Sequence, residues 1–166
     1  MKHPLAPILI GSDHAGYHLK EAVRKELISL GHDVCDFTPK RIDGDDYPII
    51  GKEIAKAIVK VNRLMAKSHH HDCKDCDISH PSVFGIIICG SGVGVAMAAN
   101  HIAGARAVEG FETKQVKLAR EHEDANILTL GEWNTTQKKA MTLIRAFLST
   151  PASKAKRHVR RIKELG

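Results

Sequence analysis

Residues 86–107 read IIICGSGVGVAMAANHIAGARA. A run of isoleucines ends in Cys89, glycines follow at 90, 92 and 94, and small residues come after them. With Val83, Phe84 and Gly85 ahead of it, the apolar run is what a central parallel strand presents when both its faces are covered. Glycine lets a backbone turn tightly and approach a ligand, and the small residues read as a helix. A strand, a glycine loop and a helix N-terminus at one point attract negative charge. A tight turn that binds nothing is the plainer alternative, but three glycines with Ser91 exceed what a turn needs. The loop is no dinucleotide fingerprint, because the third glycine of that pattern would fall on Val95. No Lys-Ser/Thr pair follows, so it is no Walker A loop either.

The same alternation runs outward from this stretch. PILIGS (7–12) reads as a buried strand, and Leu19, Val23, Leu27 and Leu30 repeat at helical spacing up to a stop at Gly31. HDVCDF (32–37) alternates as a strand does, and 47–61 reads as a helix that tolerates Pro48 in its first turn. ARAVEG and ANILTLG read as strands, TKQVKLAREHED and TTQKKAMTLIRAFLS as helices. This pattern predicts an open parallel sheet of about five strands with helices on both sides. Ligands of such sheets bind at the C-terminal strand ends, near a topological switch. Asp13 with His14, the loop 89–94 and the helix end carrying His122 are expected there.

Residues 1–150 are read as one domain and 151–166 as a basic tail, partly helical. Residues 62–82, NRLMAKSHHHDCKDCDISHPS, break the rhythm and read as a His- and Cys-rich insertion. Cys73 and Cys76, with His71 and His80, have the spacing of half a zinc site; a polar loop with incidental thiols is the preferred reading, and no metal is expected to serve the chemistry.

The 166 residues are 43% hydrophobic and 27% charged, as in an ordinary globular chain. A net charge of +6 suits an anionic small substrate, and one Trp, two Tyr and four Phe argue against a base-stacking platform. No stretch reads as a membrane span or a secretory signal, which points to a reducing, cytoplasmic setting. Neither a nucleic acid nor a membrane is expected as partner.

Cys89 is the sharpest candidate: a cysteine at a strand end is often only a small buried residue, but beside a helix N-terminus its sulfur can serve as base or nucleophile. Asp13 and His14 can move protons or bind an anion; the alternative is a helix cap with a surface histidine. His122 stands where a helix end favours a cationic imidazole, though surface histidines are common there. Arg157 and Arg161 share a helix face that suits a phosphate, or form a solvated tail.

Together GSDHAGYHLK, DYP (46–48), residues 86–107, the segment His122–Asn126 and the Arg157-His-x-x-Arg161 tail strongly resemble the ribose-5-phosphate isomerase B family, which extends to galactose-6-phosphate isomerase subunits. The resemblance covers the chain except 62–82. It implies a Rossmann-like three-layer α/β/α sandwich with a five-stranded parallel sheet, no cofactor, and a homodimer or homotetramer with active sites between subunits. It implies interconversion of ribose 5-phosphate and ribulose 5-phosphate. Cys89 would be the base, with Gly90, Ser91, Gly92 and Gly94 as the anion hole for a cis-enediolate. Asp13 would shuttle protons at the sugar oxygens and His122 of a neighbouring subunit would open the furanose. His14, Arg157 and Arg161 would hold the phosphate, with Tyr47 and Asn126 lining the pocket. Two departures bear on the substrate. Glu123 stands where the family commonly has Asn, and Trp133 where it often has Arg, leaving Arg106 or a lysine to compensate. A hexose 6-phosphate isomerase, or a metal-responsive binding protein on the same scaffold, is the alternative.

Overall fold

A computed structural model describes residues 6–68 and 83–165. The expected alternation is present throughout. In chain order the elements are β1 (Ile8–Ser12), α1 (Tyr17–Ser29), β2 (Val34–Asp36), α2 (Tyr47–Ser68), β3 (Phe84–Cys89), α3 (Val93–Asn100), β4 (Ala107–Glu109), α4 (Thr113–Glu123), β5 (Ile127–Gly131), α5 (Gln137–Ser149) and α6 (Lys156–Leu165). The strands form one parallel sheet in the order β2-β1-β3-β5-β4.

Side-chain alternation along the central strands builds the layers. Ile8, Ile10, Ile86, Ile88, Leu128 and Leu130 face α1, α4 and α5, where they pack on Leu19, Val23, Leu27, Val116, Leu143 and Phe147. Leu9, Ile87, Cys89 and Ile127 face α2 and α3, against Ile54, Ile58, Val95 and Ala99. Each such apolar side chain, fully buried, contributes about 1.5–3 kcal/mol, which is why β1, β3 and β5 take the central places. The result is a Rossmann-like α/β/α sandwich.

Local signals set the element ends. Gly31, at φ +87°, closes the turn after α1. Thr136 caps α5 through the Lys139 N–H, and Glu112 with Gln115 forms a capping box on α4. The helix read as 47–61 continues to Ser68, so residues 62–68 belong to α2 rather than to the polar segment. The reason is visible at Asn62: its side chain accepts from the Val83 N–H at 2.9 Å and donates to the Val83 carbonyl at 3.1 Å, pinning the helix to the entry of β3. Cys73, Cys76, His71 and His80 lie outside the described residues. Among the described residues no group of three or more His, Cys, Asp and Glu side chains could hold a metal ion, and no helix is long and apolar enough to cross a membrane.

Candidate active site

The sheet order places the topological switch between β1 and β3, since the chain leaves β1 for one edge and returns across it to the other. Ser12 pairs with Ile88, so Asp13, the first residue past β1, comes beside Cys89, the last residue of β3. The two loops are in direct contact. A Cβ on Gly16 would collide with the backbone of Ile88 and Cys89, so only glycine admits this approach.

Cys89 is 4% exposed, and its sulfur accepts the Gly92 N–H at 3.1 Å. Gly92 makes that bond at φ +87°, a left-handed conformation in which glycine carries no Cβ penalty. Sequence reasoning placed this N–H among the donors to substrate; the fold directs it to the thiol. Ser91 Oγ accepts from the Val93 N–H at 3.4 Å, at the start of α3. The Gly94 and Val95 N–H groups sit in the first turn of α3, where a helix offers them no acceptor of its own. The Tyr47 ring lies against Gly94, whose absent Cβ leaves the space for it.

Asp13 caps the short 3-10 turn His14–Gly16 by accepting the Gly16 N–H at 2.9 Å. Burial pushes its carboxyl above the ordinary range, against the opposing pull of that N–H and of His14. His14 is held twice by Asp45, which accepts the backbone N–H at 2.8 Å and contacts ring Nδ1 at 2.8 Å. The Asp45 hydrogen bond raises the imidazole pKa above its usual value, with Asp13 adding to the effect. Sequence reasoning missed Asp45 because IDGDDY offers several acidic residues and nothing local selects among them.

The loop after β5 closes the third side. Cys89 and Gly90 carbonyls accept from the Glu132 and Trp133 N–H groups at 2.9 and 3.0 Å, and Asn134 donates to the Ser91 carbonyl at 3.3 Å. The Trp133 indole lies over Gly90 while remaining 78% exposed. Glu132, also missed from sequence, accepts the Leu19 N–H at 2.9 Å and so caps α1.

His122 and its neighbours are elsewhere. Their segment was expected at the C-terminal strand ends, but α4 runs back against the strands, and its last residues lie where β5 begins. Asn126 marks the place: its carbonyl accepts the Gly85 N–H near the start of β3, whereas Cys89 pairs with Gly131 at the far end of β5. Five residues of strand at ~3.3 Å each separate the two levels by about 16 Å. The Asn126 amide is also spent on backbone, accepting from the Arg106 N–H and donating to the Gly104 carbonyl, both at 2.9 Å. Arg106 does not stand in for a cation at Gly90. It lies at this opposite end, bonded to Asp124 at 2.8 Å and to the Glu123 and Asp124 carbonyls. Arg157 and Arg161 are exposed on α6, which packs on α4 beside His122.

The chain as a whole is similar to known proteins. The ribose/galactose isomerase family model matches residues 8–66 and 70–165. The chain belongs to the ribose/galactose isomerase family. Ribose-5-phosphate isomerase B of Mycobacterium tuberculosis is 36% identical over 156 residues, 93% of this chain and 85% of that protein. The Escherichia coli K12 protein of the same name is 31% identical over 143 residues, 85% of this chain and 82% of that one. Among solved members of the family, ribose-5-phosphate isomerase B of Mycoplasma genitalium with bound ribulose-5-phosphate superposes with a TM-score of 0.77 at 32% identity, covering 98% of this chain and 95% of that one.

Proposed function

We propose that the chain is an aldose–ketose isomerase interconverting ribose 5-phosphate and ribulose 5-phosphate through a cis-enediolate. The observation that carries this reading is the register that ends β1 at Ser12 opposite Ile88, which brings Asp13, just past β1, beside Cys89 at the end of β3, with the loop from Gly90 to Gly94 next to them. The named activity of the relatives supports the substrate class.

In the proposed reaction the Cys89 sulfur takes the proton from C2 of the open-chain aldose. The electron pair moves into the C1–C2 bond and negative charge develops on oxygen, where first-turn N–H groups of α3 are suited to receive it. The proton returns at C1, while O2 gives up a proton and O1 gains one. Asp13, held towards its protonated form by burial, suits that exchange. His14, whose pKa Asp45 raises, suits the phosphate.

His122, Arg157 and Arg161 take part only if a second copy supplies them, because α4 ends where β5 begins, at the opposite end of that strand from Cys89, and α6 packs on α4. A homodimer or homotetramer with sites between copies is therefore proposed, and exposed Val93 and Met97 on α3 offer apolar surface for it.

Purified full-length protein is tested with ribose 5-phosphate, following ketose formation, and with ribulose 5-phosphate in D2O, following loss of a C1 proton. Turnover of both supports the reading. Turnover of galactose or allose 6-phosphate alone would make the chain a hexose 6-phosphate isomerase. Inactivity of a folded oligomer on all of them would overturn an isomerase role.

A further inference from the structure

Helix α6 packs on α4 and buries one side chain, His158, which is 4% exposed. Its ring lies against that of His122, with centroids 4.3 Å apart and planes tilted by 36°. On another side Arg157 Nε donates to His158 Nε2 at 3.0 Å. A guanidinium nitrogen has no lone pair to offer, so Nε2 must be the acceptor. In this arrangement His158 is therefore neutral, with its hydrogen on Nδ1. That Nδ1 is shielded from solvent and has no hydrogen-bond partner among the described residues. A buried N–H without a partner is a cost that phenylalanine or leucine would avoid at the same place. What histidine supplies, and those residues do not, is a flat ring towards His122 and an acceptor towards Arg157 at once.

We propose that His158 is a positioning residue, a neutral ring that ties the His122 imidazole to the Arg157 guanidinium so that both enter a neighbouring copy's site as one unit. This rests on the isomerase reading above, in which His122 opens the furanose and Arg157 holds the phosphate. Binding of the phosphate end would then also fix the group that acts at the sugar ring.

Two variants separate the two contacts. His158→Phe keeps a flat ring against His122 and removes the acceptor; His158→Asn keeps an acceptor oxygen and removes the ring. The substrates separate the two jobs as well. Ribose 5-phosphate is a furanose that must open, whereas ribulose 5-phosphate carries its phosphate on the hydroxyl that would close such a ring and is already open. With His158→Phe, KM should rise about tenfold from both ends with kcat retained. With His158→Asn, kcat from ribose 5-phosphate should fall about tenfold while C1 proton exchange from ribulose 5-phosphate stays within about twofold. Circular dichroism should show α6 intact in both. A His158→Phe variant with unchanged KM, or a His158→Asn variant that leaves both ends unchanged or slows both alike, overturns the proposal. A readout independent of turnover is the 15N NMR of His158 at neutral pH: an unprotonated Nε2 is expected, and a protonated Nε2 overturns it. A wild-type chain inactive on both pentose phosphates would sink the isomerase reading together with this one. An active wild type whose variants behave alike would sink this one alone.

Discussion

The Gly92 N–H points at the Cys89 sulfur from 3.1 Å, so the loop that follows β3 turns back to hold the side chain that ends it. Gly92 can do this because its φ of +87° aims the peptide inward, and because a Cβ there would sit 2.9 Å from the Leu130 backbone. The sulfur proposed as base and the N–H that it accepts are thus parts of one turn, and they should fail separately when altered separately.

Cys89→Ser keeps the size and burial of the side chain but offers a much weaker base. Turnover of ribose 5-phosphate should fall on the order of 10²–10⁴-fold, with the melting temperature within a few degrees of wild type. Near-normal kcat in this variant would remove Cys89 from the chemistry.

Gly92→Ala should act on the fold as well as the site. The left-handed backbone and the close approach to Leu130 together cost roughly 1–3 kcal/mol. Urea unfolding should report that loss, and kcat should fall with it because the sulfur loses its donor. An unshifted midpoint would mean that the loop relaxes without strain.

The His14–Asp45 pair has a definite pH signature. The folded-state pKa of His14 is raised, chiefly by the Asp45 hydrogen bond. Its contribution is therefore complete below the unfolded value near 6.5 and is lost as pH rises through the higher folded value. Asp45→Asn retains an oxygen for the His14 backbone N–H but not the charge. The melting temperatures of wild type and variant should differ most at mildly acidic pH and converge as the solution becomes alkaline. The His14 resonance should titrate at lower pH in the variant; an unmoved titration would show that Asp45 does not set it.

Trp133→Arg places a cation over Gly90. Since Trp133 is 78% exposed, the fold should be unaffected. A charge-assisted bond to phosphate should lower KM for the pentose phosphate by about tenfold, with kcat little changed. A higher KM would mean that the indole itself contacts substrate.

Asp124→Ala tests the buried charge at the opposite end of the sheet. Arg120 is 1% exposed, bonded to Asp124 at 2.8 Å, and stacked on Phe84 with its carbon 4.9 Å from the ring centroid. Removing its counter-charge should cost about 3–5 kcal/mol, read by denaturant titration. A loss under 1 kcal/mol would show that the Ala125 carbonyl and the rings suffice for it.

What the sequence by itself determined follows from periodicity and from backbone chemistry that is local. Alternation and helical spacing identified the strands and helices, because apolar residues must reach a core on the period of their own element. Gly31 and Gly92 marked turns that few other residues would allow. Cys89 with Asp13 was legible because both follow strand ends, and a parallel sheet brings such ends together. What only the tertiary structure decided involves direction and distance. That His122 lies at the opposite end of the sheet from Cys89 follows from α4 running against β5, which no residue type announces. Asp45 on His14, Glu132 on Leu19 and His158 between His122 and Arg157 join residues whose partnership depends on folded geometry, and their own spacing in the chain carries no period. The family resemblance drew Asn126 and Arg106 to the site, but the fold engages Asn126 with backbone and Arg106 with Asp124 and nearby carbonyls, since polar groups at a turn must find partners before they can serve a substrate.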